Sequence, residues 1–185
     1  MKLKIIEQKE NRVKFNITEI NTQLANALRR TIISGIPVLA VERVKFLENS
    51  SVMHDEVLAH RIGLIPLKTD KGTPEIVTLS LDTVKGPGTV YAKDLNPGLA
   101  VYGKTPIVSL DKGQELKFEA EAILGTARDH VKWQAGLASY SKNDDGSYDF
   151  FVESYGQMAP KYLILTAVST LKNQLEEFKA AIQEK

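Results

Sequence analysis

Several groups of residues in this chain have types and spacings that could do chemistry. Gly98-Leu99-Ala100-Val101-Tyr102-Gly103-Lys104-Thr105 satisfies the letter of the phosphate-cradle pattern G-x-x-x-x-G-K-[ST]. Such a cradle needs an apolar strand before it and a helix starting at the lysine, so that backbone amides and the helix dipole meet the phosphates. Here Asn96-Pro97 precedes the loop, its variable positions are apolar, and only Thr105 to Leu110 separate it from Lys112-Gly113. No helix fits, and nucleotide binding at Gly98–Thr105 is kept only as the alternative function. The three histidines, His54, His60 and His130, match no zinc spacing even with Asp55 or Glu56 beside them. His54 and His60 would sit on different faces of a helix, so structural or interface roles are expected. No Gly-x-Ser-x-Gly elbow accompanies any histidine. Asp144-Asp145-Gly146 begins like a calcium loop but lacks the later glutamate, which reads as a solvated turn. No catalytic residue and no metal site is expected.

Two patterns suit contact with another protein. Arg29 and Arg30 follow Asn26-Ala27-Leu28 on a predicted helix. Spacing alone leaves two readings open: solvated arginines, or guanidinium forks flanking an apolar stripe and reaching carboxylates or carbonyls across an interface. At the other end, Ile164, Val168, Leu171, Leu175, Phe178 and Ile182 recur at alternating spacings of four and three, on a helix opened by Pro160. That is a coiled-coil-like seam. Tyr162 to Val168 is apolar nearly all round and is expected to sink into its own domain. Beyond it Lys172, Asn173, Gln174, Glu176, Glu177 and Lys179 flank the stripe, which makes that half a candidate docking surface. Assembly becomes the first question, ahead of catalysis.

Composition narrows the setting. With 185 residues, 43% hydrophobic, the chain can bury one good core or two modest ones. The absence of cysteine excludes disulfides, thiolate zinc sites, iron–sulfur clusters and cysteine nucleophiles. A formal charge of +1 gives no global field for wrapping nucleic acid. Apolar runs are short and Met1-Lys2-Leu3-Lys4 leads straight into a strand-like alternation, so no membrane span or signal core is expected and a cytoplasmic location is.

The elements that must position these residues follow from periodicity. Leu3 and Ile5, then Val13, Phe15 and Ile17, alternate with polar neighbours about a turn at Lys9-Glu10-Asn11, predicting a hairpin over residues 2–18. Asn21 is the expected N-cap of a helix to Ser34, with Leu24, Ala27, Leu28, Thr31 and Ile32 as its apolar stripe and Gly35 and Pro37 ending it. Val38–Leu47 reads as a strand closing a β-β-α-β unit. Ser51 or Asp55 is expected to cap a short helix through Ile62. Strands follow at Ile76–Leu81, Thr89–Ala92, Ile107–Leu110 and Glu115–Leu124, then a polar loop over Ser141–Gly146, a strand at Tyr148–Glu153 and the terminal helix. The terminal helix must pack on a sheet that already carries a helix. The expected fold is therefore α+β: a discontinuous dimerisation domain, residues 1–47 and 147–185, with an antiparallel sheet and two helices, interrupted by an inserted β-rich domain, residues 48–146.

Three segments carry a family resemblance: Asn26-Ala27-Leu28-Arg29-Arg30, the run His54-Asp55-Glu56-Val57-Leu58-Ala59-His60-Arg61-Ile62-Gly63-Leu64-Ile65-Pro66-Leu67, and His130-Val131-Lys132-Trp133. Together they resemble the archaeal RNA polymerase D subunits, relatives of the third-largest eukaryotic subunit and, more distantly, of the bacterial α amino-terminal domain. The resemblance implies a non-catalytic assembly subunit of DNA-directed RNA polymerase without a cofactor. It implies a heterodimer with the smaller subunit L, in which Leu24, Leu28, Arg29, Arg30, Ile32, Leu171, Leu175, Phe178 and Ile182 lie at or near the contact. It implies docking of the largest and second-largest subunits and of small zinc-bearing subunits, the second-largest facing His54, Asp55, Glu56, His60, Arg61, His130, Lys132 and Trp133. Sequence-specific DNA binding is not expected. Several relatives carry a cysteine-bearing module in the second domain; this chain has none, and the Ser141–Gly146 loop stands at that point.

Overall fold

Alternating burial builds the first sheet. In the computed structural model, which describes residues 1–183, strands β1 (Lys2–Gln8) and β2 (Arg12–Thr18) form an antiparallel hairpin closed by Lys9 and Arg12. Val13, Phe15 and Ile17 of β2 point inward and are buried. β2 pairs next with β9 (Tyr148–Ser154), and β9 with β8 (Gly136–Lys142), giving the order β1-β2-β9-β8. Phe15 and Phe150, directly opposite in register, stack with centroids 5.2 Å apart. Helix α1 (Thr22–Ser34) starts where the Asn21 side chain accepts from the Leu24 amide at 2.8 Å, satisfying one of the free donors of the first turn. It packs on β8 and on helix α3 (Pro160–Gln183), which in turn lies on β9 and β2. Leu28, Ile32, Leu163 and Ala167 fill the space beneath the two helices. These elements form unit 1, Met1–Pro37 together with the chain from Thr126 onward.

Unit 2 spans Val38–Gly125. Its main sheet has the order β3-β7-β4, from β3 (Val38–Asn49), β7 (Glu115–Gly125) and β4 (Ile76–Lys85), all antiparallel. Leu116, Phe118, Ala120 and Ala122 of β7 line its buried face. Helix α2 (Asp55–Gly63) packs on β3 and on β6 (Pro106–Leu110), the partner of β5 (Gly88–Tyr91). Leu58 and Ile62 anchor α2 in one continuous core with Leu39, Val41, Leu79 and Leu81.

Three expectations are corrected here. The boundaries fall at 37/38 and 125/126 instead of 47/48 and 146/147. Residues 38–47 do not complete a β-β-α-β unit, because β3 pairs along its length with β7, from Val38 opposite Gly125 to Asn49 opposite Leu116. Residues 126–146 belong to unit 1 because they carry β8, a strand missing from the periodicity reading. The segment Gly-Leu-Ala-Ser-Tyr-Ser-Lys buries only small residues, Gly136 and Ala138, and partly Tyr140, so its apolar signal is faint. Gly136 is required there: a Cβ would run into the Glu153 carbonyl and approach Leu163 of α3 to 3.2 Å. Neither Ser51 nor Asp55 caps α2. His54 takes the N-cap position without a side-chain bond, while Asp55 and Ser51 are tied to Asn49.

Candidate functional site

Unit 1 leaves one apolar surface open. Among the described residues its four-stranded sheet carries two helices, and β1, at the edge, has none above it: Leu3 and Ile5 are more than half exposed. Beside them Met1, Ile17, Ile20, Leu24 and Leu28 line one flank of a groove, and Ile164, Val168, Leu171 and Leu175 of α3 line the other. The groove has room for about 450 Å³. A second hollow of about 190 Å³ continues from it over Ile5, Val13 and Leu165, sharing Leu3, Phe15 and Ile164. Polar groups stand only at its lip, where Lys172 and Glu176 are 3.6 Å apart on successive turns.

Helix α3 supplies the second part of this surface. Pro160, Leu163 and Ala167 face the sheet, but Leu165 and Val168 stay half exposed, so the expectation that Tyr162–Val168 sinks whole into its domain is corrected to a single buried stripe. After Leu171 every described residue of the helix is exposed. Leu175, Phe178 and Ile182 stand at 68%, 66% and 60% of their full accessibility on this exposed arm. Seven residues of spacing put Leu175 and Ile182 on one face with Phe178 between them.

The first helix divides differently from its sequence stripe. Leu24 is half exposed at the groove. Leu28 is 93% buried, showing only an edge, and Ile32 is wholly buried in its own unit, so Ile32 is removed from the set of surface contacts. Arg29 is partly buried and gives both Nε and Nη2 to the Asn26 Oδ1, at 3.3 and 2.9 Å, which stiffens it along the helix. Arg30 is exposed and has no carboxylate partner among the described residues.

A helix arm with an uncovered stripe beside an uncovered apolar groove is the geometry of a domain made to pair. The family model of the RNA polymerase Rpb3/Rpb11 dimerisation domain matches residues 14–175, from β2 into α3. The chain belongs to that family. It is similar to the protein named DNA-directed RNA polymerase subunit Rpo3 of Methanocaldococcus jannaschii, 45% identical over 160 residues, which are 83% of this chain and 82% of that one. The Rpo3 protein of Halobacterium salinarum is 32% identical over 241 residues, with 98% and 97% of the two chains covered. That of Pyrococcus horikoshii is 43% identical over 153 residues, 76% of this chain but 59% of its own length. The chain thus spans less than two thirds of that relative.

In this member of the Rpb3/Rpb11 dimerisation family, the other expected contact residues fall in both units. Of the run His54–Leu67, Leu58, Ile62, Ile65 and Leu67 are core, and His54, Asp55, Glu56 and His60 are exposed on unit 2. Arg61 donates through Nε to the Ile107 carbonyl at 2.9 Å and through Nη2 to that of Pro106 at 3.0 Å. Its fork holds α2 against β6. Val57 and Leu64, seven residues apart and about half exposed, are further surface candidates within the run that were not singled out from the sequence. The His130–Trp133 segment lies in unit 1 as a single turn folded about its tryptophan. His130 accepts from the Lys132 amide, the Lys132 ammonium stands 4.3 Å from the Trp133 ring centre, and Trp133 is 93% buried.

The phosphate-cradle pattern has no cradle. After Lys104 the chain turns at Thr105 directly into β6, and no helix follows. Asp145 accepts from the Ser147 amide in the β8–β9 turn, where Gly146 takes a φ of 80°. Hydrogen bonding from Ser147, its side chain foremost and then its amide, holds the Asp145 carboxyl below the usual carboxylate range.

Proposed function

We propose that this chain is a non-catalytic assembly subunit of DNA-directed RNA polymerase. Unit 1 serves as the dimerisation domain, and its partner is the smaller subunit L, whose helices cover the groove and the arm of α3. The contact set is Leu24, Arg29, Arg30, Leu171, Leu175, Phe178 and Ile182 with the edge of Leu28, joined by Met1, Leu3 and Val168. The observation that carries this reading is the exposed stripe Leu175–Phe178–Ile182 beside an open apolar groove, on a chain of the Rpb3/Rpb11 dimerisation family. Full burial of a large apolar side chain is worth roughly 1.5–3 kcal/mol, so the remaining exposure of these three represents about 1–2 kcal/mol each when a partner covers it.

Unit 2 serves as the docking platform for the large subunits, through His54, Asp55, Glu56 and His60 with Val57 and Leu64, while Arg61 acts from behind by fixing α2. His130 and Lys132 of unit 1 contribute to the same class of contact, with Trp133 as their support. The small zinc-bearing subunits join the same assembly, in the cytoplasm. No cofactor is assigned to the chain.

Co-expression with subunit L tests the central contact. The unaltered chain is expected to co-purify as a soluble one-to-one pair. Leu175→Asp with Phe178→Asp should lower the affinity at least about a hundredfold, since two charges would have to be desolvated in the seam. Undiminished recovery of the partner would refute the assignment of this face.

A further inference from the structure

The segment that mimics a phosphate loop sits in a basic and aromatic patch of unit 2, outside the residues assigned above to assembly contacts. Three stretches of unit 2 meet there. The Lys68 amide donates to the Leu99 carbonyl at 2.8 Å and the Val101 amide to that of Pro66 at 2.9 Å. On the other flank the Ala92 amide donates to the Thr105 carbonyl and the Lys93 amide to the Gly103 carbonyl, both at 2.9 Å. Gly103 permits this approach, because a Cβ there would stand 3.1 Å from that of Lys93. Lys68, Lys93 and Lys104 are thereby gathered on one loop cluster, all exposed, and none has a carboxylate partner among the described residues. Asp94, the nearest acid in the chain, is turned to the Tyr91 amide at 2.8 Å. Asp70 and Lys71, adjacent in the chain, cancel in formal charge.

Two further features point to the ligand. The successive backbone N–H groups of Tyr102, Gly103 and Lys104 have no acceptor among the described residues, and they lie on the same loop cluster as the three lysines. Consecutive free amides favour anions. Tyr102 is half exposed, and Tyr91 is partly exposed with the Lys93 ammonium 5.6 Å from its ring centre. An acidic peptide would use the lysines and leave the rings idle. Unpaired bases use both, because every base has a face to stack and every linkage a phosphate. A nucleoside triphosphate fits less well, since no helix N-terminus backs the loop.

We propose that this face of unit 2 binds a single-stranded nucleic acid without sequence preference, with Lys68, Lys93 and Lys104 on backbone phosphates and Tyr102 stacked on a base. The proposal is independent of the dimer contact, which lies in unit 1. Three phosphate contacts predict a slope of about −2 in log affinity against log salt, or about fifteenfold weaker binding at 200 mM than at 50 mM.

Fluorescence anisotropy of a labelled oligouridylate with the full chain tests it. Lys93→Gln with Lys104→Gln should weaken binding about tenfold or more at 50 mM salt. Tyr102→Ala should weaken it about tenfold for the oligouridylate and leave duplex RNA unaffected. Lys45→Gln with Lys85→Gln, on the main sheet of the same unit, should change neither. All of these side chains are on the surface, and a thermal melt matching the unaltered chain shows that each variant is folded. Absence of binding at 50 mM salt would overturn the proposal, as would binding unchanged by the Lys93 and Lys104 pair. Displacement by polyglutamate at equal potency, with Tyr102→Ala silent, would overturn it in favour of an acidic protein segment.

Discussion

Units 1 and 2 are built from the same materials, antiparallel strands with helix packed across one face, yet they finish differently. In unit 2 the alternating residues of β7 disappear into a core closed by α2 and the β5–β6 pair. In unit 1 the equivalent residues of β1 remain in water, and the helix that might have covered them runs on past the sheet as a free arm. The difference is not one of composition, since β1 offers Leu3, Ile5 and Ile6 to a partner helix as readily as β7 offers Leu116 and Phe118. It is one of closure: α2 and the β5–β6 pair cover the sheet of unit 2, whereas among the described residues nothing covers β1. A unit that completes its own core can fold as a platform. A unit that leaves an apolar groove and a stripe uncovered needs another chain, because surfaces of this kind left in water promote association.

Substitutions in α1 divide the two roles most sharply. Ile32→Ala should destabilise folding by about 2–4 kcal/mol, because it empties a fully buried site. Leu24→Asp, on the same helix, should leave the thermal midpoint nearly unchanged and weaken partner capture about tenfold, a difference of about 1.4 kcal/mol. Equal effects of the two on stability would erase the distinction between core and contact. In unit 2, Arg61→Ala should cost roughly 1 kcal/mol of stability by freeing two carbonyls of β6, measured by denaturant unfolding. A stability-neutral Arg61→Ala that abolishes assembly would instead make it a direct contact.

The smallest effect is expected on the sheet face of unit 1. Asp149 accepts from Asn16 at 2.7 Å and from Asn143 at 3.0 Å, and these bonds, that from Asn16 foremost, hold its carboxyl below the usual range. A depressed folded pKa contributes stability above the unfolded value and loses it as pH falls through the folded one. In Asp149→Asn that contribution is absent, so the thermal midpoint should be slightly lower near neutrality, the acid limb shallower, and the difference from the unaltered chain should vanish as pH falls. A difference that stays the same size in acid would assign the effect to packing.

Much of this was legible in the sequence, for definite reasons. The hairpin at residues 2–18, α1 with its Asn21 cap, and the long seam of α3 are local patterns, and periodicity reports local patterns well. Partner choice among strands is not local. Val38–Leu47 reads as a strand in any sheet, and only the pairing of β3 with β7 shows that it belongs to unit 2. β8 was illegible because its inward side chains are glycine, alanine and a half-buried tyrosine. The stripe of α1 is wider than the surface it buries, so spacing could not separate Leu24 at the groove from Ile32 in the core. The resemblance placed Arg61 among the contact residues, and spacing could not show its two bonds to main-chain carbonyls of β6, which lie far along the chain.

Amide hydrogen exchange of the chain with and without the smaller polymerase subunit tests the account most directly. Covering of the arm and groove predicts strong slowing at residues 172–183 and along β1, with the core strands of unit 2 unchanged. Exchange in the arm that stays as fast in the complex as in the free chain would contradict it.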